Sequence, residues 1–148
     1  MKWQLVKSGN GHEWYELSDG IHTPVVLDYH LATQAARIRI EEEKRVFQVS
    51  KEGFLKNKFL FRNEYGVAMS RITWDAGEEH EGSLSFGNNR HRLQVRKDIQ
   101  TYIHITGQDE IGFDCELPAG DFHTHSMLIL ALGWYLGQVK TPTLVQVV

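Results

Sequence analysis

Cysteine is almost missing from this 148-residue chain, and the lone Cys115 leaves no internal disulfide to hold the fold. With no Cys-x-x-Cys pair, the zinc and redox arrangements built on that spacing are excluded. Charge of one sign is also scarce: 16 Lys and Arg stand against 19 Asp and Glu, a net charge of -3. Bulk electrostatics therefore gives no reason to expect nucleic acid. The longest apolar run, Met127 to Leu136, falls well short of the roughly 20 residues that a spanning helix needs. The opening Met1-Lys2-Trp3-Gln4 turns polar too early for the apolar stretch of a signal peptide. No Gly-rich phosphate loop leads into a helix. These absences point to a cytoplasmic chain with no membrane span.

What the chain does contain is ordinary globular composition, 41% hydrophobic and 24% charged, in a length suited to one domain over 1–148. Alternation dominates it. In Ala36-Arg37-Ile38-Arg39-Ile40-Glu41 the isoleucines face one way and the arginines the other, which is the strand signal. Arg45–Val49 follows an acidic bend at Glu42-Glu43-Lys44. Further strands are expected at 3–7, 12–17, 25–29, 54–62, 67–74, 80–86, 91–96, 102–105 and 111–117, each bounded by turn residues. Asn63-Glu64-Tyr65-Gly66 and Gly87-Asn88-Asn89 read as hairpin loops, the asparagines suiting left-handed positions. Thr143–Val147 is expected to close the set. About twelve short antiparallel strands at this spacing predict a sandwich or barrel, mainly β.

One segment departs from alternation. After Pro118-Ala119-Gly120-Asp121, a helix is expected over about 122–137, because Leu, Met and Ala are good helix formers, with Asp121, Thr124 or Ser126 available as the N-cap and Gly137 able to end it. This helix has no polar face, whereas a surface helix shows one. Burial is worth about 1.5–3 kcal/mol per large side chain, so the strands are expected to wrap around it.

The hairpin Phe59–Ala68, the strand Arg90-His91-Arg92-Leu93-Gln94-Val95 and the apolar helix Met127–Leu136 together resemble the Tubby C-terminal-like superfamily, which includes tubby proteins, phospholipid scramblases and LURP-one-related proteins. The resemblance implies a closed barrel of about twelve strands threaded by the helix, and a role in phosphoinositide binding or lipid handling, or one still unassigned. It places no ligand-contact residue on this chain. No scramblase calcium-binding segment and no spanning tail is present.

The candidate sites come from residue chemistry. Arg90, Arg92 and Arg96 lie on one face of an alternating strand with Lys97 beside them, and Arg37 with Arg39 form a second short face. Clustered guanidinium groups suit a phosphate, because each offers a bidentate fork. The competing reading is a solvated barrel face balanced by Asp75, Glu78, Glu79 and Glu81. His123 and His125, near Asp121, have the side chains of a metal site. The pair resembles a cupin ligand motif, but the glutamate expected after it is replaced by the apolar run. Residues two apart in a helix also diverge. His104 between Ile103 and Ile105 faces away from them, and Cys115 between Phe113 and Leu117 reads as core. Trp3 and Trp14 are expected to plug a barrel end, with a ligand groove as the alternative.

The function expected from these residues is a non-enzymatic binding domain for anionic lipid or another phosphate-bearing ligand, with Arg37, Arg39, Arg90, Arg92, Arg96 and Lys97 as its contacts. A protein partner, a homo-oligomer, or a metal-dependent enzyme using His123 and His125 are the alternatives. No cofactor is assigned.

Overall fold

A computed structural model describes residues 1–20, 24–53, 57–75, 80–107 and 112–147, with side chains as far as residue 138. Eleven strands precede one helix: β1 (Lys2–Gly9), β2 (His12–Ser18), β3 (Val25–His30), β4 (Ala35–Ile40), β5 (Glu43–Glu52), β6 (Lys58–Arg62), β7 (Ala68–Trp74), β8 (Glu81–Phe86), β9 (Asn89–Lys97), β10 (Thr101–Thr106), β11 (Gly112–Glu116) and α1 (Phe122–Val147). Each strand pairs antiparallel with the next in sequence, and β1 meets β11 to close a barrel. The expected strand starts at Phe54 and Ile111, and the balancing Glu78 and Glu79, lie outside the described residues.

The strand count has a topological consequence. Strands that alternate in direction close antiparallel only when their number is even; with eleven, the last pair must run parallel. β1 and β11 do run parallel, and among the described residues they pair only at Lys2 with Glu116. The Glu116 N–H donates to the Met1 carbonyl at 3.0 Å beside this pair. The expected twelfth strand, Thr143–Val147, is not formed: the backbone there continues α1, which was expected to stop near Gly137.

The prediction that the helix is enclosed holds. Every residue from Ser126 to Leu132 is fully buried, so no side of α1 meets solvent over nearly two turns. Phe122 and His123 pack on Phe59 of β6, and Trp134 packs on Phe47 of β5. Polar groups that enter with the helix are satisfied: Ser70 Oγ donates to the Leu130 carbonyl, and Trp74 Nε1 donates to Ser126 Oγ. Asp121 supplies the N-cap, its carboxylate accepting the Thr124 N–H at 2.8 Å. Two hairpins show how turn chemistry sets the register. Gly66 turns at φ 77° as its loop requires, while in the β8–β9 loop Gly87, not the asparagines, takes the left-handed conformation.

Candidate functional site

Alternation places one side of each strand in the core and the other outside, so the outer face of the barrel is written directly in the sequence. On β2 to β5 the pairing aligns outward residues in rows. One row reads Trp14, Asp28, Arg37 and Val46; the next reads Glu16, Val26, Arg39 and Lys44. Between these rows lies a groove of about 410 Å³, with Arg37, Arg39, Lys44 and Arg45 on its walls and Trp14, Val26 and Val46 as apolar surface. Arg45 is paired with Glu43 at 2.9 Å. Among the described residues no carboxylate forms an ion pair with Arg37, Arg39 or Lys44.

Asp28 is the one carboxylate lining the groove. It is engaged by His12, whose Nδ1 stands 2.7 Å from its Oδ1. The His12 ring stacks on Trp14 with centroids 5.3 Å apart, and the Lys7 ammonium lies 5.0 Å from the Trp14 ring centre. Trp14 is therefore a groove residue on the outside of the barrel. Trp3 alone of that pair is interior, as expected of a plug.

The predicted contacts on β9 have a different setting. Arg92 grips Asp75 through both guanidinium nitrogens and lies 3.8 Å from Glu81. The guanidinium in turn holds the Asp75 carboxyl below the ordinary carboxylate range, chiefly by hydrogen bonding. Arg96 donates to Gln94 at 3.1 Å. Arg90 borders a shallow recess with His91 and Thr106, and Lys97 is exposed at the far end of the strand. Arg90 and Arg96 are six residues apart, about 20 Å along a strand. In the barrel order four strands lie between β4 and β9 one way round and five the other. Arg37 and Arg39 thus share no site with Arg90, Arg92, Arg96 and Lys97.

The two histidines at the helix entrance also part company. His123 Nε2 meets Tyr29 Oη at 2.7 Å, and His125 Nε2 meets the Pro118 carbonyl at 2.9 Å. Burial lowers the His123 pKa and raises that of Tyr29 to about 12. Among the described residues no three His, Cys, Asp or Glu side chains are grouped to hold a metal ion. Cys115 is core, its thiol pushed up to about 12 by burial. His104 faces outward, 2.5 Å from Asp114.

Lys44, Arg45 and Val46 were missed because the sequence gives no turn residue at that hairpin. Its two-residue turn uses Glu41 at φ 53°, a position where glycine or asparagine is the usual signal. Placing the bend at 42–44 removes Lys44 from the strand. A two-residue turn at Glu41-Glu42 puts Lys44 opposite Arg39 and would have disclosed the cluster.

No helix among the described residues is long and apolar enough to cross a membrane. No protein-family model, curated protein or solved structure matches the chain.

Proposed function

We propose that this chain is a non-enzymatic binding domain for an anionic, phosphate-bearing ligand, and that the groove across β2 to β5 is its binding site. One observation carries this reading: Arg37, Arg39 and Lys44 converge beside an apolar wall and, among the described residues, form no ion pair with a carboxylate, the neighbouring Asp28 being engaged by His12. Unpaired guanidinium groups keep their donors available for phosphate oxygens. The neighbouring Trp14, Val26 and Val46 offer surface to the less polar part of an amphiphile. A barrel wrapped around an apolar helix supports the resemblance to the Tubby C-terminal-like superfamily, and lipid phosphate is the ligand which that resemblance favours. The contacts are Arg37 and Arg39, joined by Lys44; the β9 cations are not part of this site.

Vesicle sedimentation tests the reading. Vesicles of phosphatidylcholine containing phosphatidylglycerol should pellet the wild-type chain, and phosphatidylcholine alone should not. Arg37→Gln with Arg39→Gln should lower partitioning about thirtyfold, at about 1 kcal/mol for each lost charge. Arg90→Gln with Arg96→Gln should change it less than about twofold, because the charges lie outside the groove. Glycerophosphoglycerol, the headgroup without acyl chains, separates the possible sources: competition at low concentration identifies a free phosphodiester, and no competition identifies the lipid surface. Failure of the wild type to bind either form, or equal loss from both double variants, rejects the site.

A further inference from the structure

Asp28 belongs to two neighbouring recesses. It lines the basic groove, and it also lines a smaller pocket with His12, His30, Thr33, Ala35 and Arg37. The imidazole that engages it is therefore joined to the groove through a shared carboxylate and, by stacking, through Trp14. We propose that His12 is a pH-sensitive control on the groove: protonation of its ring neutralises Asp28 and raises affinity for the anionic ligand. This rests on the reading of the groove as an anion site.

The argument is one of charge placement. With His12 neutral, its Nδ1–H can donate to Asp28, but the carboxylate keeps its negative charge beside Arg37 and opposes an incoming phosphate. With His12 protonated, the 2.7 Å contact becomes an ion pair, and the net charge of the two groups rises from -1 to zero. Both side chains remain about a quarter exposed, at 28% and 23%, so a proton can reach the ring without unfolding.

The groups around His12 make it the only suitable member of this cluster. From β3, Asp28 faces its Nδ1, and His30 meets its ring edge-on with centroids 4.5 Å apart. From the β3–β4 turn, the Thr33 backbone N–H donates to His30 Nδ1 at 3.3 Å, and the Thr33 hydroxyl lies 2.8 Å from the same atom. His30 Nδ1 is thereby engaged by the turn, whereas His12 Nδ1 faces the carboxylate. Arg37 from β4 and Lys7 from β1, held over Trp14, are the opposing cations. They stay charged throughout, leaving the His12–Asp28 pair as the variable element.

The test is vesicle partitioning at about pH 8 and about pH 5.5 with phosphatidylglycerol, whose phosphodiester keeps one charge across this interval. Wild-type partitioning should rise about fivefold on acidification, the effect of about one added charge near a charged surface. His12→Gln should retain the affinity at the higher pH and lose the rise. Asp28→Asn, which removes the carboxylate outright, should bind at the higher pH as the wild type does at the lower, and should also be flat. His104→Gln on β10 removes an imidazole that pairs with Asp114 elsewhere on the barrel, and should keep the full rise. A flat wild type that still depends on Arg37 and Arg39 overturns the control and spares the binding site. Persistence of the rise in His12→Gln does the same. Absence of wild-type binding at both pH values overturns the site and the control together.

Discussion

Strands β4 and β9 obey the same rule and carry the same residue, yet their arginines have opposite fates. Both alternate buried aliphatic with outward polar side chains, arginines among them: Ile38 between Arg37 and Arg39, Leu93 between Arg92 and Gln94. On β9 the central guanidinium is taken by Asp75 from the β7–β8 connection and by Glu81 at the start of β8. On β4 the adjoining strands bring Val46 and Lys44 from β5 and Val26 and Asp28 from β3, and Asp28 is engaged by His12. The difference lies in the neighbours, not in the arginines. An isolated alternating strand therefore reports which side chains face outward, while strand pairing decides whether their charge remains available.

The largest expected effect comes from making the groove resemble the β9 stripe. Val46 sits directly opposite Arg37 in the β4–β5 register and is 48% exposed. Val46→Glu would place a carboxylate beside that guanidinium at little cost to the core, since the side chain points outward. Phosphatidylglycerol partitioning should fall about fivefold, since the one added negative charge cancels one cation of the groove. Retained binding would show that the unpaired state of Arg37 is irrelevant to the site. Circular dichroism of the variant separates lost binding from lost fold.

The converse change should have a smaller effect. Asp75→Asn releases Arg92 from its closest partner but leaves Glu81 at 3.8 Å. Vesicle partitioning should rise about twofold in the Arg37→Gln, Arg39→Gln background, where the groove no longer contributes. The gain is limited by the spacing of the stripe, whose remaining cations lie too far apart to share one phosphate. A recovery to the wild-type level would mean that β9 is a latent site of equal quality, and the proposed contrast would fail.

How much of this was legible follows the same division. The eleven strands announced themselves through alternation and turn residues, and the enclosed helix through the lack of any polar face from Met127 to Leu136. The end of the helix was misjudged because Gly137 and Pro142 are local stop signals, whereas the backbone remains helical to Val147. The outward direction of Arg37, Arg39, Arg90 and Arg92 was legible from strand period alone. Their division into two distant faces was not, since it depends on closure of the barrel between β1 and β11. Nor was the Asp75–Arg92 pair, which joins residues 17 apart through a connection that alternation does not describe.

The smallest expected effect concerns stability at the closed-off stripe. Arg92 lowers the folded-state pKa of Asp75, so the unfolded chain binds a proton there more readily than the native chain does. The stabilisation is therefore present above the ordinary carboxylate pKa, and is lost as pH falls through the lowered value. Wild type should have a slightly higher Tm than Asp75→Asn at neutral pH, and the gap should close in strongly acidic buffer. Because both partners are exposed, salt should shrink the neutral-pH gap as well. On β4, among the described residues, no carboxylate forms an ion pair with Arg37, so Arg37→Gln should leave Tm insensitive to acid and salt. A gap for Arg37→Gln that behaves like the Asp75 gap would reveal a hidden partner for Arg37, and with it a groove as self-neutralised as the stripe.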